Sequence, residues 1–371
     1  MAPGKTDRLS SPREAVKADF LNSAGLAAAA REPLPGDAST RCYERLRLPS
    51  GATLMLMDAP PRAESAPCPP DATPEERIAL GYNATARLAA GRVDAFAACA
   101  NFLRERGLSA PEVIALDAPQ GLAVVEDLGE RVFAHDLAEG ADPQMIYGAA
   151  IDALADMHAC CPPERLNGGA AEWPLLSYDE LALKTGADLL PEWLPKLRPE
   201  VRIGPDEAAE WDELWGEVYR RGEARAEVFC HRDYHAENLI WLPEREGPAR
   251  VGMVDFQDAV RAHPAWDLLS LLQDARRDVP PELERAMIDR YMELRPQGDR
   301  AAFLADYVAL AALNQSRIIG VFARLITRDS KPRYGEFLPR VWAHLERDLE
   351  QPGMEALRAW FDRNVPVEAR T

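Results

Sequence analysis

Two short segments hold the residue types that phosphoryl transfer requires. In His231-Arg232-Asp233-Tyr234-His235-Ala236-Glu237-Asn238 an aspartate precedes an asparagine by five residues, and in Met253-Val254-Asp255-Phe256-Gln257-Asp258 a second aspartate ends an apolar run. A carboxylate at Asp233 can orient an attacking hydroxyl and take its proton. The transition state of phosphoryl transfer is loose, so an aspartate of ordinary basicity suffices. Asn238 and Asp255 are hard oxygen ligands, suited to magnesium on ATP phosphates. ATP and Mg2+ are therefore the predicted cofactors, with Asp233 catalytic and Asn238 and Asp255 metal-binding. A lone aspartate of this kind is usually a surface-turn residue, but the three together at this spacing are not.

These residues need elements to hold them. Val228-Phe229-Cys230 is a short apolar lead into the first segment. Leu239-Ile240-Trp241 and Gly252-Met253-Val254 flank a turn and predict a hairpin. Upstream, Ser11-Pro12-Arg13-Glu14 predicts a capped helix start. Residues 34–58 predict a β-meander with strands over 41–48 and 53–57, and proline is then dense from 60 to 70. Residues 96–106 have helical spacing up to Gly107, and residues 111–116 and 121–126 predict a strand pair. Beyond 128 the pattern is mostly helical, with helices from Pro143, over 211–221, 266–276, 281–293 and 300–328. Residues 162–210 are punctuated by Pro, Trp and Gly and yield no assignable element. That stretch and residues 62–82 are each a candidate lid over the substrate. The division is a β-rich part, 1–128, ahead of a helical part, 129–371, with a ligand cleft between them.

A chain of 371 residues accommodates two such parts around a large core, and its 47% apolar and 28% charged residues are those of a globular protein. The net charge of −18 argues against a nucleic-acid or anionic-membrane partner. No long uncharged apolar run or signal-like N-terminus is read, so neither membrane insertion nor secretion is expected. The six cysteines, Cys42, Cys68, Cys99, Cys160, Cys161 and Cys230, lack zinc-ligand spacing and read as reduced thiols of a cytoplasmic protein. Oligomeric state is not legible.

With His231, Asp233, Asn238, Asp255 and Asp267, the chain resembles the aminoglycoside phosphotransferase family, relatives of the protein kinases. Five segments resemble a narrower group of bacterial anomeric sugar kinases that act on N-acetylmuramate and N-acetylglucosamine in cell-wall recycling. They are Leu56-Met57-Asp58-Ala59-Pro60-Pro61, Val125-Glu126-Asp127-Leu128-Gly129, His231-Arg232-Asp233-Tyr234-His235, Val254-Asp255-Phe256-Gln257-Asp258-Ala259 and Gly320-Val321-Phe322-Ala323-Arg324-Leu325. The resemblance implies a bilobal, protein-kinase-like α+β fold, with a small β-rich N-lobe that binds nucleotide. It implies ATP- and Mg-dependent phosphorylation of an amino sugar at its anomeric hydroxyl, giving the 1-phosphate. Other acceptors, an aminoglycoside or a small alcohol, remain alternatives, as does a nucleotide-binding pseudokinase.

The resemblance also distributes roles. Glu126, Asp127 and Leu128 form an adenine hinge. Residues 36–40, with Ser39 and Thr40, lie where a loop covers the phosphates, although an ordinary hairpin turn explains them equally well. Strand three of such folds carries a lysine for the phosphates, and here Met57 stands in its place. Arg45 is the predicted substitute, with Arg41 and Arg47 sharing its strand face. Asp267 caps a helix or anchors the catalytic loop, and His231 packs beneath that loop. Arg232, Tyr234 and His235 face the acceptor, Gln257 and Asp258 bond sugar hydroxyls, and one of Arg317, Arg324, Arg328 and Lys331 meets a substrate carboxylate.

Overall fold

The computed structural model describes residues 12–35, 41–60, 67–89, 91–169 and 171–371. A five-stranded antiparallel sheet forms the N-terminal lobe in the order β1-β2-β3-β5-β4, built from β1 (Ala30–Pro33), β2 (Cys42–Arg47), β3 (Thr53–Asp58), β4 (Val113–Asp117) and β5 (Leu122–Glu126). Side chains alternate across a strand. Leu46, Leu56, Leu122 and Val124 therefore face α1 (Pro12–Ser23) and its Phe20 and Leu21, while Met57, Ala123 and Val125 join the main core on the other face. The predicted meander has an edge strand that the sequence did not announce. Ala30-Arg31-Glu32-Pro33 has little strand propensity. It is held by the ladder to β2 and by Arg31 on Glu44, and Pro33 is tolerated because the strand is an edge.

Between β3 and β4 lie α2 (Pro74–Leu80), a π-helical turn (Asn83–Arg87) and α3 (Val93–Arg104). Helix α3 carries the core across from the sheet. Phe96 stacks on Phe256 at 4.8 Å and Phe102 on Phe229 at 4.7 Å, so one hydrophobic core runs through both lobes. Next come α4 (Phe133–Ala138) and α5 (Pro143–Met157). The stretch that sequence patterning left blank holds a two-stranded ribbon of β6 (Arg165–Asn167) and β7 (Glu172–Pro174), then α6 (Glu180–Ala187), α7 (Leu189–Leu197) and the start of α8 (Pro205–Ala224).

Two small ladders follow. Strand β8 (Val228–Cys230) pairs with β11 (Val260–Ala262), and β9 (Leu239–Trp241) with β10 (Val251–Met253). The second is the predicted hairpin. The remaining helices are α9 (Ala265–Leu272), α10 (Pro281–Leu294), α11 (Arg300–Thr327), α12 (Leu338–Leu349) and α13 (Glu355–Asn364). Helix α11 is long and apolar enough to cross a membrane. Here it is a core helix, with Phe303, Leu310, Leu313, Ile319 and Phe322 buried.

Gly320 lets α11 lie directly on α7. A Cβ there would stand 2.3 Å from the carbonyl carbon of Leu189 and 2.4 Å from the nitrogen of Leu190, backbone atoms that cannot swing aside. At Gly335 the nearest atom to such a Cβ is Ile326 Cδ1 at 3.8 Å, an ordinary contact. Gly320→Ala is expected to destabilise the fold by about 3 kcal/mol, the upper range for overpacking, and Gly335→Ala by much less. Urea unfolding of both variants checks this.

Candidate active site

The two ladders determine why distant residues meet. The loop 231–238 runs from β8 to β9, and the loop 254–259 runs from β10 to β11. Because β8 pairs with β11 and β9 with β10, the loops emerge side by side. A hydrogen bond from the Val254 N–H to the Asn238 carbonyl (3.1 Å) joins them. The Asn238 amide donates to the Asp233 carbonyl at 2.9 Å. Its nitrogen being engaged, the amide oxygen is the atom available as a ligand.

Asp267, with 0% exposure, holds the start of the first loop. Its carboxylate accepts the N–H groups of His231 and Arg232, both at 2.7 Å, and the Cys230 thiol at 3.3 Å. It is thus an anchor rather than a helix cap. His231 is fully buried, edge-on to Tyr234 and Phe256, and its ring nitrogens have no hydrogen-bond partner among the described residues. Among the described residues, three of the four non-glycine residues with positive φ, Leu88 (63°), Arg232 (77°) and Asp255 (69°), cluster around these loops. Such backbone costs about 1–3 kcal/mol each, so the loop shape is imposed by its surroundings.

Asn238 and Asp255 lie at one end of a cleft of about 470 Å³ between the lobes, walled also by Arg41, Tyr43, Arg45, Met55, Met57 and residues 125–130. That volume suits a nucleotide. At the far end, the Asp127 carboxylate accepts from Gly129 N–H (3.0 Å) and Arg45 Nε (2.8 Å). Burial pushes its pKa up, but Gly129, Thr53 and Arg45 outweigh that and hold it below the ordinary value. Arg45 also pairs with Glu130. Arg45, the expected phosphate cation, thus stands with both of these carboxylates in the cleft wall. Arg41 lines the cleft too, and its Nη2 pairs with Asp255 Oδ1. Arg47 is exposed on Glu32. The Glu126 N–H donates to the Glu112 carbonyl at 2.8 Å, and its carboxylate binds Arg245. Asp127 and Leu128 line the cleft. Ser39 and Thr40 lie outside the described residues.

Asp233 faces a second cavity, of about 150 Å³, with Arg232, His235, Ser270, Gln273, Asp274, Arg276, Asn314 and Arg317 in its walls. Arg232 and Tyr234 do not offer their polar ends to it. The Arg232 guanidinium donates to the carbonyls of Ala86 (2.6 Å) and Arg87 (3.0 Å), and the Tyr234 hydroxyl to the Ala150 carbonyl (2.8 Å). Gln257 and Asp258 are likewise engaged internally. Gln257 Nε2 supports Asp255 Oδ1 at 3.1 Å, and Asp258 accepts from Arg87 (2.6 Å) and the Gly91 N–H (2.8 Å). Burial would raise the Asp258 pKa, but Arg87, Arg232 and Arg41 hold it low. His235 stays in the cavity wall, and burial lowers its pKa, favouring the neutral ring.

Of the four basic residues considered for the acceptor, Arg317 lines this cavity. Arg324 covers the Tyr82 ring, and Arg328 pairs with Asp329. Sequence reasoning missed Asn314, Asp274 and Arg276. For Asn314 a signal existed: with Arg317, Ile318 and Val321 it follows helical i, i+3, i+4, i+7 spacing, so two polar residues share one face of an apolar helix.

A β-rich lobe and a helical lobe, with a nucleotide-sized cleft between them and the Asp255 carboxylate and Asn238 amide in its wall, define a protein-kinase-like phosphotransferase. Residues 31–304 match the phosphotransferase enzyme family, APH, and the chain belongs to that family. It is 58% identical over 362 residues to an N-acetylmuramate/N-acetylglucosamine kinase from Caulobacter vibrioides, covering 98% of this chain and 99% of the relative. A relative of the same name from Pseudomonas aeruginosa is 27% identical over 322 residues, 85% of this chain and 82% of the other. Among solved structures, choline kinase LicA from Streptococcus pneumoniae has a TM-score of 0.54 at 14% identity, covering 94% of this chain and 100% of that one. A Plasmodium vivax ethanolamine kinase has 0.57 at 11%, covering 92% and 87%. These two speak for the fold alone.

Asp267→Ala would leave two buried N–H groups unpaired, at about 1–3 kcal/mol each. The expected result is a lowered melting temperature together with a large loss of turnover. Thermal unfolding and steady-state assay check it; full turnover in the variant would mean that the loop is held by other contacts.

Proposed function

We propose that the protein transfers the γ-phosphoryl group of ATP, with magnesium, to the anomeric hydroxyl of an N-acetylated amino sugar, giving the sugar 1-phosphate. The observation that carries this reading is one hydrogen bond between the walls of the two cavities. Asp233 stands in the wall of the smaller cavity, and Asn238, bonded to its carbonyl, stands in the wall of the nucleotide-sized cleft. A hydroxyl held against Asp233 is directed at a phosphate held near Asn238 and Asp255. The hydroxyl oxygen bonds to phosphorus, the bond to the β-phosphate oxygen breaks, and Asp233 takes the proton. Asp127 and Leu128 hold the adenine edge. Asn238 and Asp255 fit magnesium, both being oxygen donors in the cleft wall, and the bound ion would neutralise phosphate charge there.

The substrate class rests on the relatives' names and on the lining of the smaller cavity. Arg276 and Arg317 offset Asp233 and Asp274, so the cavity is not the strongly acidic site that a polycationic aminoglycoside favours. N-acetylmuramate carries a lactyl carboxylate, which an arginine can pair, and N-acetylglucosamine lacks it. An anomeric hydroxyl is more acidic than an ordinary alcohol, which lessens the demand on Asp233. Residues 1–128 would supply the nucleotide side and 129–371 the acceptor side.

ADP release with N-acetylmuramate, N-acetylglucosamine, kanamycin, choline and homoserine, with the phosphate position read by phosphorus NMR, tests the reading. Turnover of the two amino sugars to 1-phosphates is expected, and turnover of kanamycin or choline alone would refute the substrate. Asp233→Asn should lower kcat by about 10²- to 10⁴-fold, the range for a general base, with ADP affinity unchanged. Arg276→Gln combined with Arg317→Gln should raise KM for N-acetylmuramate by about 10-fold or more, the worth of a charge-assisted bond. KM for N-acetylglucosamine should be nearly unchanged.

A further inference from the structure

We propose that Arg41 is the residue that binds the phosphate tail of the nucleotide, bridging it to Asp255. The proposal rests on the nucleotide reading of the cleft and adds the group that receives the charge.

The cleft is electrically asymmetric. Its described lining holds four carboxylates, Glu126, Asp127, Glu130 and Asp255, and two cations, Arg41 and Arg45. Arg45 is tied to Asp127 and Glu130 at the hinge end. Arg41 lies four residues earlier, one residue ahead of β2, and lines the same cleft. Met57 is buried in the sheet opposite Tyr43 and offers a thioether, which cannot pair with an anion. A triphosphate laid toward Asn238 and Asp255 therefore meets one cationic side chain among the described lining residues there, Arg41.

The geometry of Arg41 suits that task. Its side chain is 9% exposed and Asp255 is 38% exposed, so the pair sits at the inner wall with the carboxylate open to the cleft. A guanidinium presents its donors in a planar fork that matches phosphate oxygens as well as a carboxylate. Gln257 Nε2 donates to the same Asp255 oxygen at 3.1 Å and holds the carboxylate toward Arg41.

The test compares Arg41→Gln, Arg41→Lys and Arg45→Gln in the full chain by calorimetry with adenosine and with ADP, in EDTA and again in magnesium. Melting temperatures are recorded for each variant. For Arg41→Gln the expected result is a loss of ADP affinity of about 10- to 100-fold, with adenosine affinity within about twofold of the parent. Arg41→Lys should restore part of the ADP affinity. Arg45→Gln should shift adenosine and ADP together, because it acts at the hinge. Unchanged ADP binding in Arg41→Gln, or an equal loss of ADP and adenosine, overturns the assignment while leaving the nucleotide site intact. Failure of the parent protein to bind either ligand overturns the nucleotide reading itself, and the proposal with it.

Discussion

A buried carboxylate, Asp267, accepts two backbone N–H groups and a thiol from residues 230–232, and the catalytic loop takes its shape from that contact. Burying a charge is costly unless donors surround it. Here the donors are the backbone of the loop itself, so the same bonds that satisfy Asp267 hold Arg232 at positive φ. With that turn made, the Arg232 side chain is directed away from the acceptor and into the carbonyls of Ala86 and Arg87. The loop thus binds the insertion between β3 and β4 and presents Asp233 to the smaller cavity in one arrangement.

That insertion is a strap between the lobes rather than a free lid. Arg77 reaches the Asp179 carboxylate and the carbonyls of Ala84 and Thr85 from a buried position, Arg87 pairs with Asp258, and Arg324 covers Tyr82. Each tie joins the segment 67–89 to the helical lobe or braces its own turn. Asp258, placed by sequence reasoning among the acceptor contacts, serves this strap. Gln257 serves Asp255 in the same way. Both brace other residues, and the polar groups that line the smaller cavity with Asp233 include His235, Ser270, Gln273, Asp274, Arg276, Asn314 and Arg317.

Much of the chemistry was legible in the residues. Asp233, Asn238 and Asp255 are recognisable because hard oxygen donors at short spacing, set between apolar strand-like runs, have few other uses. The hairpin of β9 and β10, the sheet strands and the long helices followed from local periodicity, which depends on near neighbours alone. The edge strand β1 and the β8–β11 ladder were not legible. The first has weak propensity and exists through its partner's hydrogen bonds, and the second pairs segments separated by the whole catalytic region. Residues 162–210 hold strands of three residues and helices as short as eight, too brief for a periodic signal.

By itself, then, the amino-acid sequence determined the reaction class and the two-part architecture, and it singled out Asp233, Asn238 and Asp255 as the trio on which the proposed chemistry rests. It could not choose among its arginines. Arg41, Arg45 and Arg47 alternate on one strand face, and a period of two makes them equivalent. Tertiary structure separated them by what stands opposite: Asp255 for Arg41, Asp127 and Glu130 for Arg45, and Glu32 at the exposed edge for Arg47. The acceptor cavity was decided in the same way. Its wall is assembled from the catalytic loop, the end of α9 and one face of α11, segments far apart in the chain that packing alone brings together.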